Sequence, residues 1–309
     1  MPLRTEKPAQ KPTPEASPGD SRAVASPGVQ EHWLELAGGR MRYLKTGSGP
    51  ALILVHGLLG YSFSWRFALP ALAPHATTYA IDNLGAGLSV APKDLDCSAR
   101  ATAERILQFA DALGILEFDL LGTSHGGGVA MMAAALCAQR RDARIRRLIL
   151  VAPVNPWSRH GRLLAPLAAS AIGAPLVRTL VGRRRVLDRL WLRRMFGDVS
   201  KIPADSLDGY RIPVRENHSH EHALRIVSSW TSDMKELERS IPLLRDYPTM
   251  LMWGTKDRMV YFRSAGMLRR AFRSVRLVTF DGAGHLPYEE APQGFNRALV
   301  EFLNSTAVA

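Results

Sequence analysis

The chain has 309 residues, enough for one large α/β domain with an insertion, and its 46% hydrophobic content supports a full core. No uninterrupted apolar run approaches the ~20 residues that cross a bilayer, and two cysteines, Cys97 and Cys137, make no disulfide framework. The formal net charge of +12 admits nucleic acid, anionic lipid or an acidic substrate as partners, so where the charge sits matters more than its sum.

Residues 1–30 are rich in Pro, Ala and Ser and almost free of large apolar side chains. Such a segment cannot offset its ordering entropy and is expected to be a disordered tail. It lacks the apolar stretch of a secretory signal, which predicts a cytoplasmic protein. From His32 the pattern turns to strand. His32–Leu36, a turn at Gly38-Gly39 and Met41–Leu44 predict a hairpin. Ala51–Val55 is an unbroken apolar run, as suits a central strand covered on both faces. Thr77–Ile81 predicts the next strand. Ala99 to Leu113 then reads as an amphipathic helix capped by Ser98, with Ile106, Phe109, Ala110 and Leu113 on one stripe.

The next apolar run opens at Phe118 and ends in Gly122-Thr123-Ser124-His125-Gly126, followed by an Ala- and Met-rich helical stretch. A strand, a tight turn and a helix lift the Ser124 hydroxyl off the strand end, in a strained backbone conformation. Gly122 and Gly126 are required because strand and helix pass too close for a Cβ. Arg147–Val151, Thr249–Trp253 and Val275–Phe280 predict further strands. Helices are expected at 265–272 and 292–303. Residues 154–246 are helical in pattern, Arg-rich, and without a convincing buried strand. Strands alternating with helices predict an α/β fold with a doubly wound, mostly parallel sheet. Its core would be 31–153 and 247–309. The block 154–246 would be a helical lid over the sheet's C-terminal edge, where such folds place their sites.

A serine hydroxyl needs a base to take its proton, and the base needs an orienting acid. Trp253-Gly254-Thr255-Lys256-Asp257 and Asp281-Gly282-Ala283-Gly284-His285 each leave a predicted strand, which puts Asp257 and His285 at the edge that carries Ser124. The order Ser124, Asp257, His285 is the one expected for a nucleophile on such an elbow. The Leu58 and His125 amides are the candidate oxyanion donors, with the His56 side chain bracing the first loop. His218, His220 and His222 look like a metal tract, but only His218 and His222 share a helix face and no partner ligand accompanies them, so no metal is expected.

These stretches resemble the capped branch of the α/β-hydrolase superfamily. The matching motifs are His56-Gly57, Asp82-x-x-Gly85-x-Gly87-x-Ser89, Gly122-Thr123-Ser124-His125-Gly126-Gly127, Gly254-x-x-Asp257 and Gly284-His285, spanning His32 to about Leu303. One departure is Asn83-Leu84, where relatives often carry Arg or Pro. The branch holds small-ester hydrolases, carbon–carbon bond hydrolases, haloperoxidase-like proteins, dehalogenases and epoxide hydrolases. The resemblance implies Ser124 as nucleophile, Asp257 as acid and His285 as base, with no cofactor. Dehalogenases and epoxide hydrolases of this type use an Asp nucleophile, so serine favours acyl transfer to water. The expected activity is hydrolysis of an ester or activated carbonyl on a small, apolar substrate. The alternatives are carbon–carbon bond cleavage of a diketone-like substrate and a non-catalytic binding protein.

Between Asn155 and Gly197 nine Arg accompany a single acid, Asp188. On the helix predicted there, Arg185, Arg189 and Arg193 form one stripe, with Leu187, Leu190, Trp191 and Met195 largely opposite. The apolar side is expected to pack on the core, and Trp157, Leu187 and Trp191 to line the substrate path. The Arg side is expected to be solvated, with weak contact to an anionic membrane surface as the sharper reading. No nucleic-acid-binding module accompanies the charge.

Overall fold

The apolar runs assemble into one eight-stranded sheet in a computed structural model that describes residues 27–158, 170, 173, 184–215 and 218–305. For residues 184–189, 213–215 and 218–220 only the backbone is described. The predicted tail therefore lies outside the described residues up to residue 26, and its expected boundary falls on the first strand. The strands are β1 (Gln30–Leu36), β2 (Gly39–Thr46), β3 (Ala51–Val55), β4 (Thr77–Ile81), β5 (Phe118–Thr123), β6 (Ile145–Val151), β7 (Thr249–Gly254) and β8 (Val275–Phe280), in the spatial order β1-β2-β4-β3-β5-β6-β7-β8. The hairpin β1–β2 is antiparallel and adds to β4 antiparallel, while β4, β3, β5, β6, β7 and β8 run parallel.

Helices cover both faces, which is why β3 is apolar throughout and its neighbours are apolar over most of their length. Successive side chains of β3 part to opposite layers. Ile53 and Val55 join the core built with α2 (Ala99–Ala112), α3 (His125–Arg140) and Ala265 and Leu268. Leu52 and Leu54 join the core built with α1 (Leu69–Leu72) and the apolar Phe295 and Leu299. Ser98 caps α2 as its position predicts, its hydroxyl accepting from the Ala101 amide.

Register aligns the strand ends. Val55 pairs with Gly122, Thr123 with Val151, Val151 with Met252, and Gly254 with Phe280. The loops after β3, β5, β7 and β8 thus leave one edge of the sheet. The segment between β6 and β7 contributes no strand among its described residues. It supplies α4 (Arg184–Met195), α5 (Ser206–Arg215) and α6 (His218–Ser240). Leu192, Met195, Phe196 and Tyr210 from this segment join the second core, while Met234 and Leu237 of α6 join the first. The chain ends in α7 (Arg263–Arg269), α8 (Pro287–Glu290) and α9 (Pro292–Asn304), α7 lying between β7 and β8.

Candidate active site

Ser124 sits between β5 and α3 at φ 52° and ψ −121°, a conformation that costs a side-chain-bearing residue about 1–3 kcal/mol. The end of β6 and the loop after it hold it. The Ser124 amide donates to the Val151 carbonyl at 2.9 Å, and the Ser124 carbonyl accepts from the Val154 amide at 2.8 Å. The two glycines of the motif are there for space: a Cβ on Gly122 would lie 2.2 Å from the Gly126 carbonyl oxygen, and one on Gly126 would lie 2.3 Å from that of His56. The serine itself is only half-buried while its strand is wholly buried.

The loops after β7 and β8 bring an acid and an imidazole together. His285 Nδ1 and Asp257 Oδ2 are 2.7 Å apart, both side chains being essentially inaccessible to solvent. The other carboxylate oxygen of Asp257 accepts from the Met259 and Val260 amides at 2.7 and 2.9 Å. An ionised carboxylate can only accept, so in the neutral imidazole this contact selects the tautomer with the proton on Nδ1 and the lone pair on Nε2. The His285 ring lines the same pocket as Ser124, a space of ≈ 320 Å³ that also takes in Leu58, Ser64, Trp191, Met195 and Tyr210. Asp82 is committed elsewhere. It pairs with Arg42 at 3.1 Å and accepts from the Ser62 and Leu88 amides at 2.7 and 3.1 Å.

The loop after β3 presses on Ser124, since a Cβ on Gly57 would lie 3.1 Å from Ser124 Cβ. Leu58, the next residue, lines the pocket. The His125 amide is the first N–H of α3, one of the four that a helix start leaves without an intrahelical acceptor. His56 braces this loop. Its Nδ1 lies 2.8 Å from the Gly57 carbonyl, and its Nε2 accepts from the Asn83 amide at 3.1 Å. That second contact fixes the proton on Nδ1.

Of the three side chains expected to line the substrate path, Trp191 does line the Ser124 pocket. The Leu187 side chain lies outside the described residues. Trp157 lies elsewhere, in a separate space of ≈ 940 Å³ with Asp257, Ser264 and Met267. The reason is Asn155: its Oδ1 accepts from the Trp157 amide at 3.1 Å and its Nδ2 donates to the Ser264 hydroxyl at 3.2 Å, turning the chain towards α7. Leu190, expected on the inward side of α4, is 55% exposed, and Leu192 is buried in its place.

Ser64 and Tyr210 were invisible as site residues in the sequence, where neither belongs to a motif. Glu289 explains their placement. Its buried carboxylate accepts from Arg66 Nη2 at 3.0 Å, from the Ser206 hydroxyl at 3.1 Å and from the Tyr210 hydroxyl, and Tyr210 Oη lies 3.1 Å from Ser64 Oγ. Burial first, then the Glu289 charge, holds the Tyr210 phenol neutral far above its ordinary range.

Two further histidines lie where α6 meets the sheet edge. The His125 ring stacks with Trp230 at 6.2 Å between centroids. His222 packs on the loop after β4, where a Cβ on Gly85 would come within 2.9 Å of its Cδ2. Burial, and then the neighbouring His56, pushes His125 down to about 4. Burial, then His56, His125, Arg105 and Arg225, pushes His222 down to about 3. Between those values and about 6.5, the ordinary histidine value, the unfolded chain binds protons that the fold refuses. This contribution to stability is whole above about pH 6.5 and is lost as pH falls, down to about 4 for His125 and about 3 for His222. Asp119 and Asp233, raised mainly by burial, work in the opposite direction, so a difference measurement is needed. His222→Gln should flatten the dependence of unfolding free energy on pH over this window by about 1.4 kcal/mol per pH unit. Equal slopes for variant and wild type in urea titrations would remove His222 from this role.

A family model described as the alpha/beta hydrolase fold matches residues 50–292. The chain is 31% identical over 300 residues to an uncharacterised protein of Mycobacterium tuberculosis, an alignment covering 93% of this chain and 84% of the relative. It is 28% identical to N-formylmaleamate deformylase of Pseudomonas putida, with 92% and 97% of the two chains covered. A solved structure of a putative lipase from Acinetobacter baumannii superposes with a TM-score of 0.76 at 22% identity, covering 89% of this chain and 91% of that one. No described helix is long and apolar enough to cross a membrane.

Proposed function

The chain belongs to the alpha/beta hydrolase family, and within it we propose a serine hydrolase that cleaves an ester or similarly activated carbonyl through an acyl-enzyme. The observation that carries this reading is the His285 ring, bonded through Nδ1 to buried Asp257 while it shares the Ser124 pocket. His285 Nε2 takes the Ser124 proton as Oγ attacks the carbonyl carbon. Negative charge gathers on the carbonyl oxygen, where the Leu58 and His125 amides receive it. The imidazolium that forms is stabilised by Asp257 and returns its proton to the leaving oxygen. Water then repeats the sequence, releasing the acid and restoring Ser124. Asp257 keeps its charge throughout.

The pocket bears on the substrate class. Ser64 and Tyr210 give it polar lining. Buried Arg66 does not make it a site for acids, because that charge is met by Glu289 and Asp205. A second reading, cleavage of a small acyl group from nitrogen, is favoured by the relative named a deformylase. Both pass through the same acyl-enzyme. A fluorophosphonate probe should therefore label the wild-type protein at Ser124 and leave Ser124→Ala unlabelled. Absence of labelling in folded wild-type protein would reject an activated serine and favour a binding role.

A further inference from the structure

We propose that the outer side of the insertion, centred on α4, docks on an anionic lipid surface. The charge is local: of the nine Arg between Asn155 and Gly197, five lie on α4 beside the single acid Asp188, and Arg159, Arg162, Arg178 and Arg183 lie outside the described residues. Leu190, Arg193 and Arg194 stand at i, i+3 and i+4 of α4, hence on one face, and all three are exposed. Arg185 and Arg189 precede Arg193 at four-residue spacing on the same helix. Beyond α4, after Asp198, whose side chain accepts from the Ser200 amide, the exposed pair Val199 and Lys201 repeats the combination of an apolar and a basic side chain.

The combination selects the occupant. A nucleic-acid backbone or an acidic protein would satisfy the guanidinium groups but leave Leu190 and Val199 in water. An anionic bilayer meets both, with phosphates for the Arg and Lys heads and the acyl boundary for the apolar side chains. With few apolar side chains to insert, attachment is reversible and depends on charge, so salt weakens it. The opposite side of α4 carries Trp191 and Met195 into the Ser124 pocket. Docking would hold that pocket about one helix diameter, ~10 Å, from the headgroups. That consequence rests on the hydrolase reading, whereas the docking does not.

Flotation of the full chain with vesicles tests it. The protein should float with vesicles of mixed phosphatidylcholine and phosphatidylglycerol, not with phosphatidylcholine alone, and high salt should abolish flotation. Arg193→Glu with Arg194→Glu should lower partition by about tenfold or more, since each basic residue near such a surface contributes about a fivefold factor. Leu190→Ser should lower it while preserving the salt dependence. Both variants should keep the wild-type melting temperature and turnover of a soluble ester. Ser124→Ala should float like wild type, which separates this result from any failure of the hydrolase reading. Equal flotation with neutral vesicles, variants that partition like wild type, or retention on DNA without flotation would each overturn the proposal.

Discussion

Ser124→Ala should abolish turnover, with kcat falling by a factor on the order of 10⁴ to 10⁶ while the protein stays folded. The size of the effect follows from what the hydroxyl does: without it there is no acyl-enzyme, and what remains is the gain from an oxyanion site and binding. Folding should survive because the elbow is held by its backbone. The Ser124 amide and carbonyl bond to Val151 and Val154, and the close packing falls on Gly122 and Gly126. Alanine loses one oxygen from a half-buried position and meets the same positive φ. Matched preparations of variant and wild type, with active sites titrated and melting temperatures compared, decide the matter. A folded variant that keeps more than about a tenth of wild-type turnover would remove Ser124 from the nucleophile's role.

The positions proposed to carry chemistry could be placed at one sheet edge because backbone geometry writes that placement into the sequence. The elbow needs glycine where strand and helix touch, and parallel strands deliver their next residues to one edge. Ser124, Asp257 and His285 could each be located at a strand end without knowing any side-chain contact. The central strands were readable for a related reason, being buried on both faces and hence rich in consecutive apolar residues. The insertion was not readable at the same level. A hydrophobic stripe fixes an arc of a helix only to within one residue's rotation, about 100°. On α4 the contacts choose Trp191, Leu192 and Met195, with Trp191 set edge-on to Tyr210 at 6.4 Å between centroids, and they turn Leu190 outward. Trp157 failed for a different cause: its direction is set by the Asn155 side chain, a local turn with no periodic signature. The polar lining from Ser64 and Tyr210 depends on Arg66, Ser206 and Glu289, residues spread over more than 200 positions of the chain.

Glu289→Ala should destabilise the protein by about 3–5 kcal/mol, the cost of leaving a buried charge without its partner. The Arg66 side chain is 7% exposed and that of Glu289 is 0% exposed, so neither charge can turn to water. The other carboxylate on Arg66, Asp205, is 56% exposed, and water screens what it offers. The loss spreads beyond the pair. Ser206 and Tyr210 belong to the insertion, Arg66 and Glu289 to the core, and the carboxylate is the acceptor on which three donors converge. Removing it takes the shared acceptor from a guanidinium and two hydroxyls at the junction, one of which belongs to the wall of the Ser124 pocket. Glu289→Gln, which keeps the shape and one acceptor, should cost less than Glu289→Ala. Replacing both partners, Arg66→Met with Glu289→Leu, should recover much of the loss, because an apolar pair of similar volume has no charge to desolvate. Urea unfolding of the three variants reads these differences directly. A loss below about 1 kcal/mol for Glu289→Ala, the range of a solvent-exposed pair, would mean that water reaches Arg66 and that the junction is not held by this carboxylate.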